Sequence, residues 1–136
     1  MLDAFLVPAN TVVTAKGDSE ALDVSAAVSR VFLLSFSIYS IVEQEAMDVF
    51  VFTSADGTTW DPKPVAALEQ KFYVGEYPLL IDLSEKPEVK FVRAHWDIYR
   101  WGRGGTAARF EMSLRLREVS QEALLEAQAE AEVRRA

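Results

Sequence analysis

Apolar and polar side chains alternate with a period of two over long stretches of this chain, and no other feature constrains its fold as strongly. Between Arg30 and Val42, Phe32, Leu34, Phe36 and Ile38 share one face, while Ser35, Ser37 and Tyr39 share the other. Between Val89 and Trp101, Val92, Ala94, Trp96 and Ile98 oppose Arg93, His95, Asp97 and Tyr99. Between Ala107 and Val119, Phe110, Met112, Leu114 and Leu116 oppose Arg109, Glu111, Ser113, Arg115 and Arg117. Successive side chains point to opposite faces only in a β-strand, so each segment predicts a strand with one buried side. Ala46 to Ser54 is apolar on both faces, with Met47, Val49 and Val51 against Phe50 and Phe52, which predicts a central strand covered on both sides.

Breaks between these segments carry turn chemistry. Asp56-Gly57 offers the positive φ that a tight hairpin needs. Pro62 and Pro64 then end regular structure, since proline supplies no backbone N–H. Further strands are predicted over Leu68 to Val74 and, after Pro78, over Leu79 to Leu83. Thr11 to Ala15 and Ala21 to Val24 flank Lys16-Gly17-Asp18-Ser19 and predict a short edge hairpin. About seven strands with no helix between them imply an all-β domain, an antiparallel β-sandwich of jelly-roll-like form.

The pattern changes at Ser120. Ser120 is a good N-cap, Glu122 and Glu126 suit the positive end of a helix, and Arg134 and Arg135 suit the negative end. A short C-terminal α-helix is expected, with a thin apolar stripe through Leu124 and Leu125. The domain organisation that follows is an N-terminal arm over 1–10, a sandwich over 11–119 and a helical tail over 120–136.

Composition narrows the function. At 136 residues, half of them hydrophobic, the chain can bury a core without metal or disulfide staples. There is no cysteine, which excludes a thiolate zinc site and a cysteine nucleophile. The net charge of −7 repels phosphate backbones, so nucleic acid is not an expected partner. No segment approaches the roughly 20 apolar residues of a membrane span. Met1 to Pro8 holds Asp3 and no basic residue, unlike a signal peptide.

Catalytic chemistry finds little to work with. His95 shares a strand face with Arg93 and Asp97, and local charge pairing outweighs a nucleophile-activating role because no G-x-S-x-G motif occurs. Asp48, Asp56 and Asp61 surround the Asp-Gly turn without the spacing of a calcium loop. Gly102, Gly104 and Gly105 join strand to strand, so no helix dipole faces a phosphate. No metal, cofactor or catalytic residue is expected. The aromatics point instead to binding. Tyr39, Tyr99 and Trp101 suit an interface, together with Leu2, Phe5, Leu6, Leu124 and Leu125 in the terminal segments. Trp60, Tyr99 and Trp101 would suit sugar stacking in a carbohydrate-binding module, which is the alternative.

Leu22-Asp23-Val24-Ser25, Met47-Asp48-Val49-Phe50-Val51, Thr53-Ser54-Ala55-Asp56-Gly57-Thr58-Thr59-Trp60 and Phe91-Val92-Arg93-Ala94 together resemble small β-sandwich proteins encoded among phage and prophage structural genes. The resemblance runs over residues 11 to 118. It implies a non-enzymatic structural protein of a phage-like particle, either a capsid decoration or a tail accessory. The implied partners are phage capsid or tail proteins and further copies of the chain as a homo-oligomer. The implied location is the virion, or the bacterial cytoplasm during assembly. The Trp96 to Trp101 segment and the Ala/Glu-rich tail depart from the family pattern.

Overall fold

The computed structural model describes residues 1–42, 45–100, 108–122, 125–126 and 128–130. Among the described residues nine strands follow one another: β1 (Asp3–Val13), β2 (Gly17–Asp18), β3 (Leu22–Asp23), β4 (Val31–Ile41), β5 (Glu45–Ser54), β6 (Ala66–Lys71), β7 (Gly75–Asp82), β8 (Phe91–Arg100) and β9 (Phe110–Val119). Helical residues then occur within 121–130.

The pairings nest. β5 pairs with β6, β4 with β7, β2 and β3 with β8, and β1 with β9, all antiparallel. The chain is therefore one long two-stranded ribbon whose tip is the β5–β6 turn. Two further pairings, β4 with β9 and β5 with β8, join successive windings of that ribbon. The result is two sheets, β1-β9-β4-β7 and β2-β8-β5-β6, with β3 beside β2 on β8. A double sheet wound from one ribbon is a jelly roll, as the strand count and turn spacing lead one to expect.

The core fills the space between the sheets. Phe32, Leu34 and Phe36 of β4, Met47, Val49 and Val51 of β5, and Phe110, Met112 and Leu114 of β9 are all buried. Trp96 caps this layer, its indole N–H donating to the Ala15 carbonyl at 3.0 Å. Burying such side chains contributes roughly 1.5–3 kcal/mol each before conformational entropy is subtracted.

Two carboxylates lock the ends of the sandwich. Glu45 opens β5 on the core-facing parity and is almost wholly buried. It accepts from the N–H groups of Val42 and Arg109, both at 3.0 Å, so it ties the end of β4 to the approach of β9. Glu118 sits at the opposite end, also on the core parity of its strand. Its oxygens accept from the N–H groups of Leu2 (3.1 Å), Val28 (2.9 Å) and Ser29 (2.9 Å).

Four expectations are corrected. Residues 1–10 are not an arm: Asp3 to Val13 is an edge strand, paired with β9 from Asp3↔Arg117 to Val13↔Phe110 with two register shifts between. Its irregular pairing around Val7 breaks the alternation that would have revealed it. The predicted edge hairpin does not form, because β1 joins one sheet while β2 and β3 each pair with β8 of the other. Pro78 lies inside β7, tolerated there because β7 is an edge strand with no ladder partner on one side. Finally, β5 is not fully covered on both sides, since Phe50 and Phe52 stay partly exposed on the outer face, although Ala46, Asp48 and Ser54 on that face are buried.

Candidate functional site

The ribbon tip is built from short side chains that replace missing backbone partners. Ser54 Oγ donates to the Thr59 carbonyl at 2.6 Å and accepts from the Gly57 N–H at 2.8 Å. Asp56 Oδ1 accepts from the N–H groups of Thr59 (2.8 Å) and Thr58 (2.9 Å). Those two donors hold the Asp56 carboxyl well below the usual carboxylate range. Gly57 has φ 82°, the left-handed region that a hairpin turn was expected to require. A Cβ at Gly57 would also meet the Phe91 ring at 3.4 Å. Gly57→Val is accordingly expected to cost about 1–2 kcal/mol, since a β-branched residue is strained at positive φ, whereas Gly57→Asn costs less. Urea midpoints of the two variants check the ordering; equal midpoints would remove the backbone explanation.

Ser54 bridges to Trp60, which returns the chain to the outer face of the β2-β8-β5-β6 sheet. There the Arg93 guanidinium stands 4.4 Å from the centroid of the Trp60 ring. His95 lies between the Phe50 and Phe52 rings, at centroid distances of 6.3 and 6.4 Å. Its Nδ1 is 2.9 Å from Asp18 and its Nε2 is 3.0 Å from Asp97. Both ring nitrogens thus face carboxylates and neither is open to a serine hydroxyl. Arg93, on the same strand face, pairs with Trp60 rather than joining that chain. Asp48 accepts from the Gln70 N–H at 2.7 Å, and its charge pushes the Tyr99 phenol up.

At the other end of the sandwich, the β6–β7 connection projects an apolar tip. Phe72, Tyr73 and Val74 are consecutive and 42%, 68% and 61% exposed. The Phe72 and Tyr73 rings contact at 4.5 Å between centroids. The Tyr77 hydroxyl donates to the Tyr73 carbonyl at 2.6 Å, which pins the tip to β7. Alternation alone extends the β6 strand through Val74. Gln70, with φ 54°, instead sits at a register shift in the β5–β6 ladder, whose last pair is Met47↔Lys71, and the next three side chains lie beyond the sheet.

The sequence-predicted interface residues scatter. Leu6 is buried in the core, and Leu2 packs against it. Phe5 is exposed on the outer face of the β1-β9-β4-β7 sheet, beside Arg115. Tyr39 is exposed on that face, its hydroxyl 2.9 Å from Ser113 Oγ. Tyr99 is exposed on the other sheet, and Leu125 is exposed in the helical segment. Trp101 and Leu124 lie outside the described residues. Nor do Trp60 and Tyr99 form one sugar platform. Trp60 pairs with Ser54 and Tyr99 with Ala46, eight residues apart along β5. That spacing separates them by about 26 Å. Among the described residues, no group of three or more His, Asp or Glu side chains is placed to hold a metal ion.

No family model matches this chain, and no curated protein does. A chain in the structure of infectious bursal disease virus Gx strain is similar, with a TM-score of 0.42 and 14% identity over 85% of this chain. The aligned part spans 28% of that viral chain.

Proposed function

We propose that this protein is a non-enzymatic structural component of a phage-like particle, a capsid decoration or tail accessory subunit that acts through protein–protein contacts. The observation that carries this reading is the Phe72-Tyr73-Val74 tip. Consecutive large apolar side chains held in water are unfavourable, and grouped on a folded body they mark an interaction site. The tip is anchored to β7 and so is presented in one orientation, which lowers the ordering cost of association. The segments that resemble phage structural proteins also support the reading, since they form the ribbon tip and the strands beside it. The partners are capsid or tail proteins and further copies of the chain. With a net charge of −7, the surface does not favour nucleic acid. Among the described residues, no helix is long and apolar enough to cross a membrane.

Replacing Phe72, Tyr73 and Val74 together by serine tests the proposal. Sedimentation of the wild type, alone and with purified particles, should show self-association or co-sedimentation. The triple variant should lose both while keeping its thermal midpoint, because these side chains contribute little to the core. Unchanged mass and unchanged particle binding in the variant would end this reading.

A further inference from the structure

The outer face of the β1-β9-β4-β7 sheet contains a hollow bordered by the Tyr39–Ser113 and Phe5–Arg115 contacts. Ser37 lies opposite Ser113, and Ser35 lies opposite Arg115, where β4 and β9 run side by side. Serine is short, and the outward positions around these three carry long side chains: Phe5, Tyr39, Glu76, Arg115 and Arg117. A low floor under a tall rim leaves a hollow of about 260 Å³. Ser35 is only 6% exposed, yet its hydroxyl makes no hydrogen bond among the described residues, and neither does that of Ser37. Neither hydroxyl oxygen is a buried atom without a partner, so both open into the hollow and can pair with a polar group that enters it.

The charges around the hollow are arranged unevenly. Arg115 is committed to Asp3, with contacts at 2.8 and 2.5 Å. The Arg117 guanidinium makes no hydrogen bond among the described residues and its Nε is buried without a partner, although Asp3 lies opposite it on β1 and feels its charge. Glu76 pairs across from Ser37, and Arg117 pairs across from Leu33. Four residues along the strands, about 13 Å, and two steps across the sheet, about 10 Å, separate these positions. The cation therefore stands at one end of the hollow and the acceptor at the other, with serine hydroxyls between them. Phe5, 49% exposed, adds an apolar ring surface at the side.

From this arrangement we infer that the hollow binds a hydroxylated carboxylate, the chemistry of an acidic sugar such as a uronic acid. Arg117 pairs with the carboxylate, and Ser35 and Ser37 donate to it or to the ring oxygens. Glu76 accepts from hydroxyls at the far end, and Phe5 covers an apolar patch of the ring. A simple anion satisfies only the Arg117 end, and a neutral sugar satisfies only the Glu76 end.

Backbone amide spectra of the full-length protein, titrated separately with glucuronate, glucose and acetate, test the assignment. Glucuronate should give saturable shifts centred on Ser35, Ser37, Ser113 and Arg117, at least about tenfold tighter than glucose or acetate, as the loss of a charge-assisted hydrogen bond predicts. Arg117→Gln should weaken glucuronate by about tenfold or more. Ser37→Val should abolish binding by filling the floor, and its β-branched side chain suits a strand, so spectral dispersion should persist. The inference is overturned if the shifts stay linear to the highest ligand concentration. Equal affinity for glucuronate and acetate, or Arg117→Gln binding as the wild type does, also overturns it.

Discussion

Phe36→Ala is expected to cost about 3–5 kcal/mol of folding stability. Phe36 is fully buried, and its strand is hydrogen-bonded on both sides, to β7 and to β9. Neither neighbour can move in to fill the gap without breaking a ladder, so most of the cavity persists. The ring also contacts Tyr77 at 6.0 Å between centroids, and that contact is lost. A domain of this size has about 5–15 kcal/mol of stability in all, so the variant should be marginal at ambient temperature. Phe52→Ala provides the contrast. Phe52 has the same chemistry but faces outward and is only partly buried, so its loss should cost about 1 kcal/mol. Denaturant midpoints with unchanged slopes give both values. A Phe36→Ala loss no larger than that of Phe52→Ala would mean that the alternation had been assigned to the wrong face.

That pair of residues shows what alternation can and cannot reveal. It locates β4, β8 and β9 and their inner faces because each of these strands is long and its two faces differ in polarity. It places the ribbon tip because Asp56-Gly57 has few conformations open to it. It fails for β1, where Pro8, Asn10 at φ 60° and the irregular pairing around Val7 disturb the period. The partner of β1 is β9, about a hundred residues away, and no local pattern encodes that pairing. It fails for β5 in another way, since apolar residues on both faces do not say whether a second layer covers both. The apolar tip is hidden by Gln70, whose positive φ marks a register shift one residue before β6 ends, without any glycine or proline to announce it. The hollow at Ser35 and Ser37 is partly legible, because the polar parity of β4 is visible, but Arg117 and Glu76 join it only through the sheet order β9-β4-β7. Glu45 and Glu118 do leave a signal: each falls on the core parity of its strand, where an unpartnered carboxylate would be unstable.

For Glu118 the consequence is measurable. Glu118→Gln keeps the shape of the side chain but turns an N–H₂ group toward donors that need an acceptor. Leu2, Val28 and Ser29 all donate to this one carboxylate, so the substitution should cost about 2–4 kcal/mol at neutral pH. The effect should also depend on pH in a defined direction. The Ser29 and Leu2 N–H groups, with that of Val28, hold the Glu118 carboxyl below its ordinary value of 4.5. A group whose pKa falls on folding binds its proton more readily in the unfolded chain. Its stabilisation is therefore complete above 4.5 and is lost as the pH drops through the lower folded value. Glutamine does not titrate. The stability gap between wild type and Glu118→Gln should be constant from about pH 7 down to about pH 5 and should narrow at lower pH. Other carboxylates titrate in both proteins and cancel in the difference. Thermal or urea midpoints of the two proteins across that range give the gap directly. A gap that stays constant to about pH 3 would mean that the Glu118 charge does not hold the N-terminal strand and the 28–29 turn together.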